Sequence, residues 1–147
     1  MANYSFAIAT VGEIEEMLKT HGPVEAAYLT AITAFAEESG VDRLEIRDPA
    51  VAGSVHFGGG PPVPGHGLAG IFPPDLTGYH DGAEVPLPVA LELVRAMLRD
   101  QGAWCRPEAG DVFTVHVGWD QYMYVGSDRP CVHAVARTRE LGLFPDP

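Results

Sequence analysis

The chain is 147 residues long, and one domain of that length removes roughly 70% of its unfolded surface from water, so folding needs neither a disulfide nor a metal. Asp and Glu outnumber Lys and Arg by 20 to 9, for a formal net charge of −11; such a field repels phosphate backbones and anionic membranes and puts a nucleic-acid partner at a disadvantage. Apolar residues make up 46% and charged residues 20%, which excludes a disordered chain, and no apolar run approaches the ~20 residues that span a bilayer.

The opening Met1-Ala2-Asn3-Tyr4-Ser5-Phe6-Ala7-Ile8-Ala9 lacks the basic region of a signal peptide, which predicts a soluble, cytoplasmic chain. In that reducing compartment Cys105 and Cys131 are expected as free, buried thiols. Lys19 is the only lysine.

Thr10 and Glu13 form a capping box, so a first helix opens there and stops near Gly22. Pro23 suits the first turn of a second helix, in which Val24, Tyr28, Ala31, Ile32 and Phe35 recur at core spacing, and Glu37-Glu38-Ser39-Gly40 ends it. Leu44 and Ile46 alternate with Arg43, Glu45 and Arg47, and Val55-His56-Phe57 follows an Asp48-Pro49 turn, which together predict two short strands. From Gly58 to Gly70 the chain reads GGGPPVPGHGLAG, a surface loop within one domain, because its prolines lack amide donors and its glycines resist ordering.

A third helix is expected from Pro86 to Asp100, with Leu87, Ala90, Leu91, Val94, Met97 and Leu98 inward and Glu92, Arg95 and Arg99 outward. Three runs then predict an antiparallel meander: Ala103 to Arg106, Val112 to Val117, and Gln121 to Val125. Ser127 or Asp128 caps a last helix beginning at Pro130, with Cys131, Ala134, Val135, Thr138 and Leu141 on one side and Gly142 closing it. These elements predict an α+β sandwich whose antiparallel sheet includes the C-terminal meander, with helices mainly on one face.

Gly65-His66-Gly67-Leu68-Ala69-Gly70 matches G-x-G-x-x-G, yet prolines flank it where a dinucleotide site needs a strand and a helix. Cys131 and His133, two residues apart on a helix, point away from each other, and there is no C-x-x-C or H-x-x-x-H pair, so neither a metal nor a cofactor is expected. No G-x-S-x-G elbow is present, and Glu13, Glu15 and Glu16 read as a solvated first turn.

The hairpin from Phe113 to Gly126 is the most informative stretch. Alternation sets Phe113, Val115 and Val117 on one face and Thr114 and His116 on the other, while Tyr122 and Tyr124 share a face opposite Met123 and Val125. If the register pairs the polar faces, His116, Tyr122 and Tyr124 make an aromatic patch with Trp119 and Asp120 at the tip.

The runs DLTGYHDGAEVPL from Asp75 to Leu87, Gly102-Ala103-Trp104-Cys105-Arg106, and VHVGWDQYMYVGSDRPC from Val115 to Cys131 resemble a family of small actinobacterial proteins described as RNA-binding. The likeness covers most of the chain from about Gly22 onward and implies RNA as a ligand. The residues themselves contain no RNP1 strand, no GXXG clamp and no basic run. Two readings follow. One is a non-enzymatic binding protein that uses Trp119, Asp120, Tyr122, Tyr124 and His116 to engage RNA or a basic protein. The other is a small enzyme in which His116, Asp120, Tyr122 or Tyr124 acts in a pocket beside the 58–70 loop.

Overall fold

The computed structural model describes residues 2–6, 23–51, 71–73, 77–98, 103–118, 123–143 and 145. The helix expected from Thr10, the run Val55 to Phe57 and the loop from Gly58 to Gly70 lie outside the described residues. Among the described residues six strands form one antiparallel sheet: β1 (Ala2–Phe6), β2 (Arg43–Val51), β3 (Glu84–Pro86), β4 (Ala103–Ala109), β5 (Phe113–Val117) and β6 (Met123–Ser127). Their order is β1-β6-β5-β4-β2-β3, so β4, β5 and β6 form the expected C-terminal meander. The described helices are α1 (Pro23–Glu38), α2 (Leu87–Leu98) and α3 (Val132–Glu140); α1 and α2 pack on the sheet, and α3 packs on α1. The fold is therefore α+β, as the residue pattern predicts.

The core lies between helices and sheet. Tyr28, Ala31, Ile32 and Phe35 are buried, as their spacing requires, and Leu29 and Ala36 widen that face so that α1 meets β6 and both other helices. Strand residues Leu44, Ile46, Cys105, Phe113, Val115, Val117, Met123 and Val125 meet them. Helix α1 ends where Gly40 turns left-handed at φ 73°, with Gly40 N donating to Glu37 O and Val41 N to Ala36 O. That pattern satisfies the last carbonyls and tucks Val41 against the core.

Several boundaries differ from the sequence reading. Asp48-Pro49 is not a turn: β2 runs through it to Val51, and Arg47↔Arg106 followed by Ala50↔Trp104 leaves one extra residue on β2. Asp48, left-handed at φ 52°, absorbs that residue as a bulge, where proline's missing donor costs nothing. Pro86 closes β3 rather than opening the third helix, which starts at Leu87. Strand β4 continues past Arg106 to Ala109. Arg95 keeps its place on the outward stripe, paired with Glu92 at 2.6 Å, and its Nε also sits 3.0 Å from Oε1 of the buried Glu25 on α1.

The last helix begins at Val132, and neither Ser127 nor Asp128 caps it: Ser127 belongs to β6 and Asp128 pairs with Arg129. Its cap comes from another element. Glu38, at the end of α1, accepts from His133 N at 3.2 Å and Ala134 N at 2.8 Å. A carboxylate there answers both the orphan amides and the positive end of the helix dipole. Beside it, Tyr4 Oη accepts from Cys131 N at 3.0 Å, and the buried Ser39 and Ser127 hydroxyls meet at 2.7 Å. Replacing Glu38 with Ala is expected to cost about 1 kcal/mol in urea unfolding, and Glu38→Gln, which keeps an acceptor, about half of that; equal costs for the two would mean that charge, not hydrogen bonding, does the capping.

Candidate functional site

The face of the sheet turned away from the helices carries the candidate site. On β5, Phe113, Val115 and Val117 are buried while His116 is exposed, and on β6 Met123 and Val125 are buried while Tyr124 is 38% exposed. His116 and Tyr124 are direct cross-strand partners, their ring centroids 5.8 Å apart at 40°. The register does pair the polar faces, and a tilted aromatic pair at this spacing is worth roughly 0.2–1 kcal/mol. Ser5 of β1 continues the same row at Tyr124. Trp119, Asp120 and Tyr122 lie outside the described residues, so the structure brings together His116 and Tyr124 of the five residues singled out.

A second feature of the face was not foreseen. The register lines up Gly126, Thr114, Glu108, Glu45 and Glu84 across five strands, so three carboxylates stand side by side. The neighbouring row sets Arg47 directly against Arg106. Like charges directly opposite repel, and here each row is partly offset by the other. Arg47 reaches Glu45 at 2.5 Å, Asp81 at 3.3 Å and Glu108 at 3.4 Å; Arg106 reaches Glu108 and Asp48, each at 3.2 Å; Arg43 pairs with Glu84. Glu45, foremost among these carboxylates, raises the Arg47 pKa above its ordinary value. Glu45, Glu84, Glu108, Asp48 and Asp81 against Arg43, Arg47 and Arg106 leave the lattice net negative. The alternation Arg43-Leu44-Glu45-Ile46-Arg47 marks a solvent face in the sequence, but only strand pairing shows which charge opposes which.

The aromatic pair adjoins a break in the ladder. Ile46 donates to Ala83 O at 2.8 Å and accepts from Gly82 N at 2.7 Å, so its polar groups face away from β4. Its partner Pro107 therefore turns its backbone toward β5, where the proline nitrogen has no hydrogen to give. Pairing between β4 and β5 accordingly stops at Glu108↔Thr114 and Ala109↔Phe113. The next amide in line, that of Cys105, donates to the Met97 thioether at 3.3 Å. Arg106 and His116 each lie two residues beyond the last outward-facing pair.

Other candidate residues are structural. Tyr79, in the run that carries the family resemblance, is buried and donates its hydroxyl to Trp104 O at 2.9 Å, with Phe72 at 5.5 Å between ring centroids. Gly78 and Gly82 hold left-handed φ values of 95° and 83°, and a Cβ at Gly78 would press on Phe72 at 3.3 Å. Cys105 and Cys131 are both buried and unbridged. Burial pushes the Cys105 thiol up to about 12, against a smaller opposing pull from a hydrogen bond with Tyr79, so it cannot supply a thiolate near neutral pH. Among the described residues no three of His, Cys, Asp and Glu gather where they could hold a metal ion, and no helix is long and apolar enough to cross a membrane.

The raised Cys105 pKa has a stability consequence. The folded state holds its proton more tightly than the unfolded state, whose thiol ionises near 9.0. The contribution is complete below that value and is lost as pH climbs toward about 12. Urea unfolding of the wild type should weaken across this window, and Cys105→Ala, less stable at neutral pH, should weaken less steeply. Identical slopes would assign the alkaline loss to other groups.

Comparison of the chain with family models, with curated proteins and with solved structures gives no match in any of the three.

Proposed function

We propose that this chain is a non-enzymatic binding protein whose open sheet face docks a basic partner protein through His116 and Tyr124, with Trp119, Asp120 and Tyr122 of the same hairpin. The observation that carries this reading is the His116–Tyr124 pair, an exposed aromatic surface on a sheet whose opposite face is filled by helices. Tyrosine at such a site offers large contact area at low entropic cost. The adjoining lattice carries an excess of carboxylates, and the chain as a whole is at −11, so a cationic surface is steered toward this face and a phosphate backbone away from it.

The test is capture from extract on immobilised wild-type chain and on Tyr124→Ala, with and without ribonuclease, followed by titration of the captured protein. The expected ligand is a basic protein, retained after ribonuclease treatment and weakened by salt. Tyr124→Ala and Trp119→Ala should each cost on the order of 2 kcal/mol in its affinity while leaving the melting temperature nearly unchanged. Capture that ribonuclease abolishes would replace the protein partner with RNA stacked on the tyrosines. A Trp119→Ala variant destabilised by about 3–5 kcal/mol would return the hairpin tip to the core.

A further inference from the structure

The two edges of the sheet are built differently. Edge strand β3 is three residues long, carries Glu84 and ends on Pro86, and brevity, charge and proline are the devices by which proteins stop an edge from pairing with another chain. Edge strand β1 has none of them. It runs for five residues, Ala2-Asn3-Tyr4-Ser5-Phe6, with no charge and no proline. Its register with β6 is unbroken from Ala2↔Ser127 to Phe6↔Met123, so no bulge twists it away. Among the described residues β1 pairs with β6 alone, so within them the amides and carbonyls of its outer side meet no strand.

We propose that β1 is a self-association edge, on which a second copy of this chain adds its own β1 in antiparallel register to make one continuous twelve-stranded sheet. A twofold axis makes antiparallel pairing automatic, and every other strand pair in the sheet is antiparallel. Charge selects the occupant. Each chain stands at −11, so two copies repel least where neither presents charge, and β1 with β6 (Met123-Tyr124-Val125-Gly126-Ser127) forms an uncharged ten-residue band. A basic partner would find nothing on this edge to answer its charge. With the axis at Tyr4, Asn3 of one copy pairs with Ser5 of the other. The open faces then merge, and the two Tyr124 positions stand three strand spacings apart and two residues offset along the strands, about 16 Å.

Sedimentation equilibrium from about 1 to about 100 μM tests this. The wild type is expected at twice the 15.7 kDa chain mass, with dissociation suppressed by added salt because screening removes the repulsion between like-charged copies. Asn3→Glu with Ser5→Glu places acids opposite acids across the axis, and Asn3→Lys with Ser5→Lys places bases opposite bases. Each double variant should halve the mass, and an equimolar mixture of the two should restore the dimer, which also shows that both variants fold. A wild type that stays monomeric throughout, double variants that remain dimeric, or a mixture that fails to associate would each overturn the proposal.

Discussion

Ile46 turns both its amide and its carbonyl toward Gly82 and Ala83, and that choice lets a proline occupy an inner strand. A proline in the middle of a sheet removes a ladder hydrogen bond, and the loss is tolerable only if the position facing it makes no demand on the missing donor. The pairing of Ile46 with Pro107 meets that condition on the β2 side and transfers the deficit to β5. The β4–β5 ladder therefore ends early, and the Cys105 amide finds a sulfur on α2 instead of a carbonyl on β5. The end of the β4–β5 ladder and the contact between Cys105 and α2 both accompany this one missing hydrogen.

The charge lattice follows from the same register. With Ile46 opposite Pro107, Glu45 must stand opposite Glu108 and Arg47 opposite Arg106. Each cross-strand pair is repulsive by itself, and the attractions run along a strand or diagonally. Exposed ion pairs contribute only about 0–1 kcal/mol each, so the lattice does little to hold the fold together. Its effect is on specificity: a one-residue slip of β2 on β4 would bring Leu44 and Ile46 out to solvent and drive Glu45 and Arg47 into the core, a double penalty.

At the opposite end of the sheet, polar groups fix helix α3. The turn from Ser127 to Ala134 is held by side chains from β1 and from the end of α1: Tyr4, Glu38 and Ser39. Ser39 and Ser127 are buried with almost no exposure, and burying hydroxyls is costly unless they are bonded. They satisfy each other, and Ser127 also accepts from Arg129 N at 3.3 Å. Tyr4, packed on Phe35 at 5.0 Å, ties β1 to the core as well as to α3, so the strand beside Tyr124 is anchored through its inner face.

The amino-acid sequence by itself determined the fold class, the meander, the inward face of α1, most of that of α2, where it missed the buried Leu93 and Ala96, and the sides on which His116 and Tyr124 stand, because these depend on periodicities of 3.6 and 2 that are local properties of a chain. It misplaced what depends on long-range pairing. Asp48-Pro49 carries the composition of a turn, yet β4 alongside converts it to a bulge. Ser127 and Asp128 have the chemistry of a cap, yet the carboxylate that does the work is about ninety residues away in sequence. Arg95 sits on a polar stripe, yet Glu25 of another helix waits beneath it. The glutamate row is the plainest case, since Glu45, Glu84 and Glu108 share no local pattern and become neighbours only when three distant strands are laid edge to edge. Tertiary structure decided these features because hydrogen-bond partners and charge neighbours are chosen by proximity in space, which local periodicity does not encode.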